Sequence, residues 1–203
     1  MKKVIAGFNV YKNRTGYVRD YGKIQLGDSV IIGDPCYDYE GMLHIKNVKS
    51  GDYECFARFH DCKDWGWRVS RLFVFHTDIT LNEILPVMRN GQRLPYLSRL
   101  ERKEYPASFG VDSGQGCICN YEFFKENESD REFEPVNGKK GWYRKLCDIT
   151  LSKESAGIYQ NKCFVSSSGY GDGGYTCFTF EKDGKIFGFM IDYAVEGIGY
   201  GNE

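Results

Sequence analysis

Proline, histidine and unbalanced charge are all scarce in this sequence. It holds 5 prolines and 3 histidines in 203 residues, and 27 basic side chains face 28 acidic ones for a net charge of −1. The near-neutral balance supplies no general basic field, which excludes duplex nucleic acid gripped through its phosphates as the main partner. No apolar run approaches the length that spans a membrane, and Met1-Lys2-Lys3-Val4 leads into Gly7, Asn9 and Tyr11 rather than an apolar signal core. A soluble, unexported, cytoplasmic protein is expected. His44, His60 and His76 are scattered, and His60-Asp61-Cys62 is the one local group of mixed ligand chemistry. Without a second Cys or His pair at zinc spacing, no metal or other cofactor is expected. The 8 cysteines are irregularly spaced, so they read as reduced, mostly buried thiols rather than a disulfide framework.

Aromatics and glycine are abundant: 16% of the chain is Phe, Trp or Tyr, and glycine occurs 24 times. That composition points to a β-rich α+β protein. The clearest local signal is Asp183-Gly184 between the β-forming runs 176–180 and 185–193. Asp-Gly at such a place predicts a two-residue type I′ hairpin, pairing Phe180 with Phe187, Phe178 with Phe189 and Tyr175 with Asp192. One face would then carry Phe178, Phe180, Phe187, Phe189 and Ile191. Runs 42–48 and 53–60, flanking Lys49-Ser50-Gly51-Asp52, predict a second hairpin, which 68–77 extends to a meander. Thr80 with Glu83 predicts a capped helix, short or beginning near Pro86. Residues 121–127 and 142–151 are two further helix candidates. The expected fold is antiparallel sheets built from hairpins and a meander, sandwich- or barrel-like, with two or three short helices. One domain over 1–203 accommodates this. A glycine-broken β run recurs at Gly22–Ile31 and Gly110–Ile118, which marks either two structurally similar halves, about 1–105 and 106–203, or chance.

The least ordinary backbone is Ser166–Tyr175, with Gly169, Gly171, Gly173 and Gly174 in six positions. Glycine permits positive φ and close approach of another group, either a ligand or the protein's own chain. The stretch lacks the lysine and Ser/Thr of a phosphate loop and precedes a strand, so it is neither a Walker loop nor a dinucleotide fingerprint. Gly33-Asp34-Pro35-Cys36-Tyr37 and Asp112-Ser113-Gly114-Gln115 share its grammar of a carboxylate beside glycine or proline. Gly169–Tyr175 is expected to meet the loop at Asp34–Tyr37 or the turn at Asp112–Gln115 in one polar, glycine-lined pocket. There Tyr170, Gly171, Asp172, Gly173, Gly174, Tyr175, Asp34, Asp112 and Ser113 would hold a small anionic or nucleotide-like ligand, Tyr170 or Tyr175 stacking on its ring. The alternative is that these side chains cap one another's turns. Asp192 falls at the Asp172 end of the hairpin, completing a polar end. Trp65, Trp67 and Arg68 share one turn and suit stacking on a base or gripping a protein, with burial expected for one of the tryptophans. Cys36 and His44 suggest a nucleophile and base, but no third orienting group accompanies them.

The motifs at 48–53, 68–74, 109–114, 168–175 and 191–193 together resemble those of a family of uncharacterised bacterial and phage-associated β-rich proteins, a domain of unknown function. Its most specific element is Ser168-Gly169-Tyr170-Gly171-Asp172-Gly173-Gly174-Tyr175. The family signature continues with proline, and this chain has Thr176. The resemblance implies a β-rich fold and supplies no catalytic residue. With no complete catalytic constellation, the expected function is non-enzymatic binding, in immunity or counter-defence, of a nucleotide-like signal or of a host or other partner protein. A metal-dependent phosphoester hydrolase, losing turnover on Asp172→Ala, is the rival.

Overall fold

The computed structural model describes residues 8–89, 101–130 and 139–196, and for 101–107 the backbone alone. The strands are β1 (Phe8–Lys12), β2 (Gly16–Leu26), β3 (Ser29–Gly33), β4 (Leu43–Lys46), β5 (Gly51–Asp61), β6 (Trp67–His76), β7 (Glu101–Val111), β8 (Gln115–Asn120), β9 (Ala156–Tyr159), β10 (Cys163–Ser167), β11 (Gly173–Lys182) and β12 (Lys185–Asp192). The helices are α1 (Leu81–Arg89), α2 (Tyr121–Asn127) and α3 (Trp142–Thr150). The strand expected from Val4, the connection after Arg89 and the charged loop from Glu128 fall partly outside the described residues.

The strands form two open antiparallel sheets, β1-β2-β5-β6-β12-β11-β7 and β4-β3-β8-β10-β9. Strands β2 to β12 bury one face between the sheets in a core that includes Ile24, Tyr53, Leu72, Phe164, Phe189 and Ile191, while Val10 and Tyr11 of β1 pack on the other face of the larger sheet. Helix α1 covers the far face of the larger sheet through Ile84, Val87 and Met88, against Phe56, Phe73 and Phe180. Helices α2 and α3 cover the far face of the smaller one, Phe124, Trp142 and Leu146 meeting Cys117, Cys119 and Cys163. The result is a four-layered β-sandwich flanked by short helices. Exchanging β2, β3, β4, β5 and β6 for β7, β8, β10, β11 and β12 leaves the pairing pattern among them unchanged, about the central pairs β6–β12 and β3–β8. The recurrent glycine-broken runs occupy matching places in this pattern, β2 into β3 and β7 into β8.

Asp183 and Gly184 form the expected turn, with φ of 51° and 72°. The register beyond it differs from the expected one. A bulge opposite Glu181 and Phe180 brings Phe180 beside Gly188, Phe178 beside Met190 and Thr176 beside Asp192. Phe178, Phe180 and Phe187 therefore face α1, whereas Phe189 and Ile191 turn into the inter-sheet core. An extra residue reverses side-chain parity, which alternation alone does not reveal.

The hairpin expected between 42–48 and 53–60 does not form. Strand β4 pairs with β3 in the smaller sheet, while β5 lies between β2 and β6 in the larger. Lys49-Ser50 is a crossing between layers. In the Thr80 capping box, the Glu83 carboxylate accepts from the Thr80 N–H at 2.9 Å and its hydroxyl at 2.8 Å. The helix runs through Pro86 rather than starting there.

Candidate functional site

Strand order decides which turns meet. Because β8 lies between β3 and β10 and antiparallel to both, the end of β3, the start of β8 and the end of β10 share one end of the smaller sheet. The Asp34, Asp112 and glycine-rich turns consequently come together, as the common grammar suggested. Asp34 is fully buried. Its Oδ2 accepts from the N–H groups of Asp112 at 2.8 Å and Ser113 at 2.7 Å, and its Oδ1 from the Cys36 N–H at 2.9 Å and the Ser113 hydroxyl at 2.6 Å. Four donors match the roughly four lone-pair sites of a carboxylate, so the group serves the joint between two turns.

The glycine-rich turn is tied to that joint by the Ser168 N–H, which donates to the Gly114 carbonyl at 2.9 Å. Tyr175 is buried, and its hydroxyl lies 2.7 Å from the Gly171 carbonyl and 3.0 Å from that of Ser168. Its ring stands edge-on to Tyr193. Tyr175 thus clamps the turn from inside and is not placed to stack on a ligand. At Gly169, with φ of 58°, a Cβ would lie 2.6 Å from Val195, so here the close neighbour is the protein itself. Gly171 and Gly174 have nothing within 4 Å of a built Cβ, and Asp172, Gly173 and Gly174 are exposed.

Asp112 accepts from the Tyr37 hydroxyl, an interaction that with burial pushes the Tyr37 pKa up to about 12. Burial and the neighbouring Asp34 charge likewise raise the Cys36 thiol to about 12, the reverse of an activated nucleophile. Its supposed base, His44, instead contacts the Tyr39 hydroxyl at 2.7 Å through Nδ1. Asp192 lies at the expected end of the hairpin, opposite Thr176, but its carboxylate is engaged by Arg71. It is buried 2.8 Å from Arg71 Nε and accepts from the Ala194 N–H. Among the described residues no three His, Cys, Asp or Glu side chains are grouped to hold a metal ion.

What the glycine turn meets on its outer side is the tryptophan turn. Tyr170 is 56% exposed, and its ring stands edge-on to Trp65 at 6.2 Å. Burial was expected for one tryptophan, yet Trp65 and Trp67 are 68% and 45% exposed. The single helical turn 63–65 between β5 and β6 carries Trp65 and ends at Gly66, with φ of 70°, and Trp67 opens β6 opposite Asp61. Trp67 packs against Tyr17 at 5.1 Å, Tyr17 stacks on Phe59, and the Arg19 guanidinium lies over both rings. Tyr170, Trp65 and Trp67 thus form a shelf of exposed aromatic surface, with half-buried Tyr17 packed behind Trp67. Its two halves are about 100 positions apart in sequence, and sequence reading treated them as separate candidates.

The model of the family described as Protein of unknown function (DUF4241) matches residues 26–191. The chain belongs to this family. The match runs from the end of β2 almost to the end of β12, and so takes in the Asp34, Asp112, tryptophan and glycine turns. No curated protein and no solved structure matches the chain.

Proposed function

We propose that this chain is a non-enzymatic binding protein that engages a partner protein through the shelf of Tyr170, Trp65 and Trp67 and the open backbone of Gly171–Gly174. The supporting observation is the shared exposure of three large aromatic side chains beside glycines with free space above them. A tryptophan ring has on the order of 200 Å² to remove from water, so two left outside while Trp142 is fully buried favour a docking surface. Asp61, Lys63, Asp64 and Arg68 border the shelf with charges of both signs. That suits a protein surface better than a polyphosphate. Asp34 and Tyr175, whose polar atoms are used internally, drop out of the ligand set, and an enclosed nucleotide site loses two of its expected members. The resemblance to phage-associated proteins favours a host or rival protein as the partner, blocked in the manner of an immunity or counter-defence factor.

The test uses the full chain and a Trp65→Ala/Tyr170→Ala variant as paired baits, followed by mixing with the purified partner and measuring molar mass. One protein bound at fixed stoichiometry by the parent, and about a hundredfold more weakly by a variant of unchanged melting temperature, supports the reading. Release of a nucleotide from the denatured protein, or turnover of a nucleotide panel followed by mass spectrometry, overturns it.

A further inference from the structure

Strand β4 carries His44 and Lys46 two positions apart, and so on one side, while Ile45 between them points into the inter-sheet core. They line a cleft of about 400 Å³ together with Ser29, Tyr121 and Lys185. Lys185 belongs to the β11–β12 hairpin, which is fixed here by the Ile186 N–H donating to the Asn47 carbonyl and the Lys49 N–H to the Ile186 carbonyl, at 3.0 and 2.9 Å. Tyr121 stacks on His44 at 4.2 Å with the planes 10° apart.

The cleft is rich in unused donors. Neither Lys46 nor Lys185 has a carboxylate within ion-pair distance among the described residues, although Asp28 also lines the cleft. Burial, with Lys46 beside it, lowers the His44 pKa, so the ring is neutral near pH 7 and carries one N–H. Nδ1 shares one hydrogen bond with the Tyr39 hydroxyl, and Nε2 is buried without a protein partner.

We propose that this cleft binds a phosphate group, free or as a small phosphomonoester, with the Lys46 and Lys185 ammonium groups as its counter-charges. Two lysine side chains lining one cleft outnumber Asp28, the one carboxylate in its lining, and supply the positive charge that a compact dianion requires. The site is independent of the aromatic shelf and stands whether or not that shelf binds a protein.

Calorimetric titration of the full chain with inorganic phosphate and with glycerol phosphate, at ionic strength held constant with chloride, tests this. Saturable one-to-one binding is expected, weakened about tenfold by Lys46→Ala or Lys185→Ala. Lys182→Ala, on the same hairpin but outside the cleft lining, is expected to change nothing. Tighter binding of glycerol phosphate assigns the monoester, and equal binding assigns phosphate itself. The proposal is overturned by a lack of saturation with either probe, or by an equal loss in Lys182→Ala.

Discussion

Glu196 has the most consequential charge among the described residues near their C-terminal limit. Arg58 grips it with Nε at 2.6 Å from Oε1 and Nη2 at 2.8 Å from Oε2, and the Ser70 hydroxyl donates to Oε1 as well. Arg58 in turn donates to the Met88 and Arg89 carbonyls, joining the end of α1 to the same knot. Burial alone would raise the Glu196 pKa, but the Arg58 hydrogen bonds and charge outweigh it and hold it below the ordinary 4.5. A carboxylate depressed on folding contributes stability that is fully present above the unfolded value and lost as pH falls through the folded one. Glu196→Gln is therefore expected to cost about 3 kcal/mol near neutral pH, because it leaves Arg58 buried without its counter-charge. The deficit relative to the parent should shrink as pH falls below about 4.5. Urea unfolding of both proteins at a series of pH values measures it, and a deficit that stays constant into acid would refute the assignment.

At the level of elements, the hairpin of β11 and β12 shows how one residue redirects a face. Gly188 sits at the bulge, and a Cβ there would lie 2.4 Å from Phe75 Cδ1 and 3.1 Å from the Val74 carbonyl. Phe75 is fully buried, so it has little room to yield. Gly188→Ala is expected to destabilise by about 1–3 kcal/mol through overpacking, read as a lower denaturation midpoint with an unchanged slope. A cost near zero would mean that the bulge relaxes freely. The same bulge explains why alternation correctly grouped Phe178, Phe180 and Phe187 but misassigned Phe189 and Ile191. Hydrophobic period fixes which residues share a face only while the count of residues between them holds.

Across the whole molecule, the pairs β6–β12 and β3–β8 and the inter-sheet core all join residues before 105 to residues after 106. A fragment such as 1–105 or 106–203 would expose β6 and β3, or β12 and β8, as unpaired edges with an uncovered apolar face. Neither fragment is expected to fold alone, and the intact chain should unfold in a single transition seen alike by near- and far-ultraviolet circular dichroism. A stable monomeric fragment with native-like dispersion in its amide spectrum would contradict this.

What the sequence determined by itself was local: the β-rich composition, the Asp183-Gly184 turn, the Thr80 cap, and the glycine, Asp34 and Asp112 turns as unusual backbone. Each is set by the conformational preferences of a few neighbouring residues, so a short window contains the whole cause. Tertiary structure decided which strands are neighbours, and with that the meeting of Tyr170 with Trp65 and of Arg58 with Glu196, and the placing of Lys46 and Lys185 on one cleft. Those meetings follow from two sheets stacking to bury their facing side chains, and from β8 taking its place between β3 and β10. They arise from long-range burial summed over the whole chain, which no local pattern encodes.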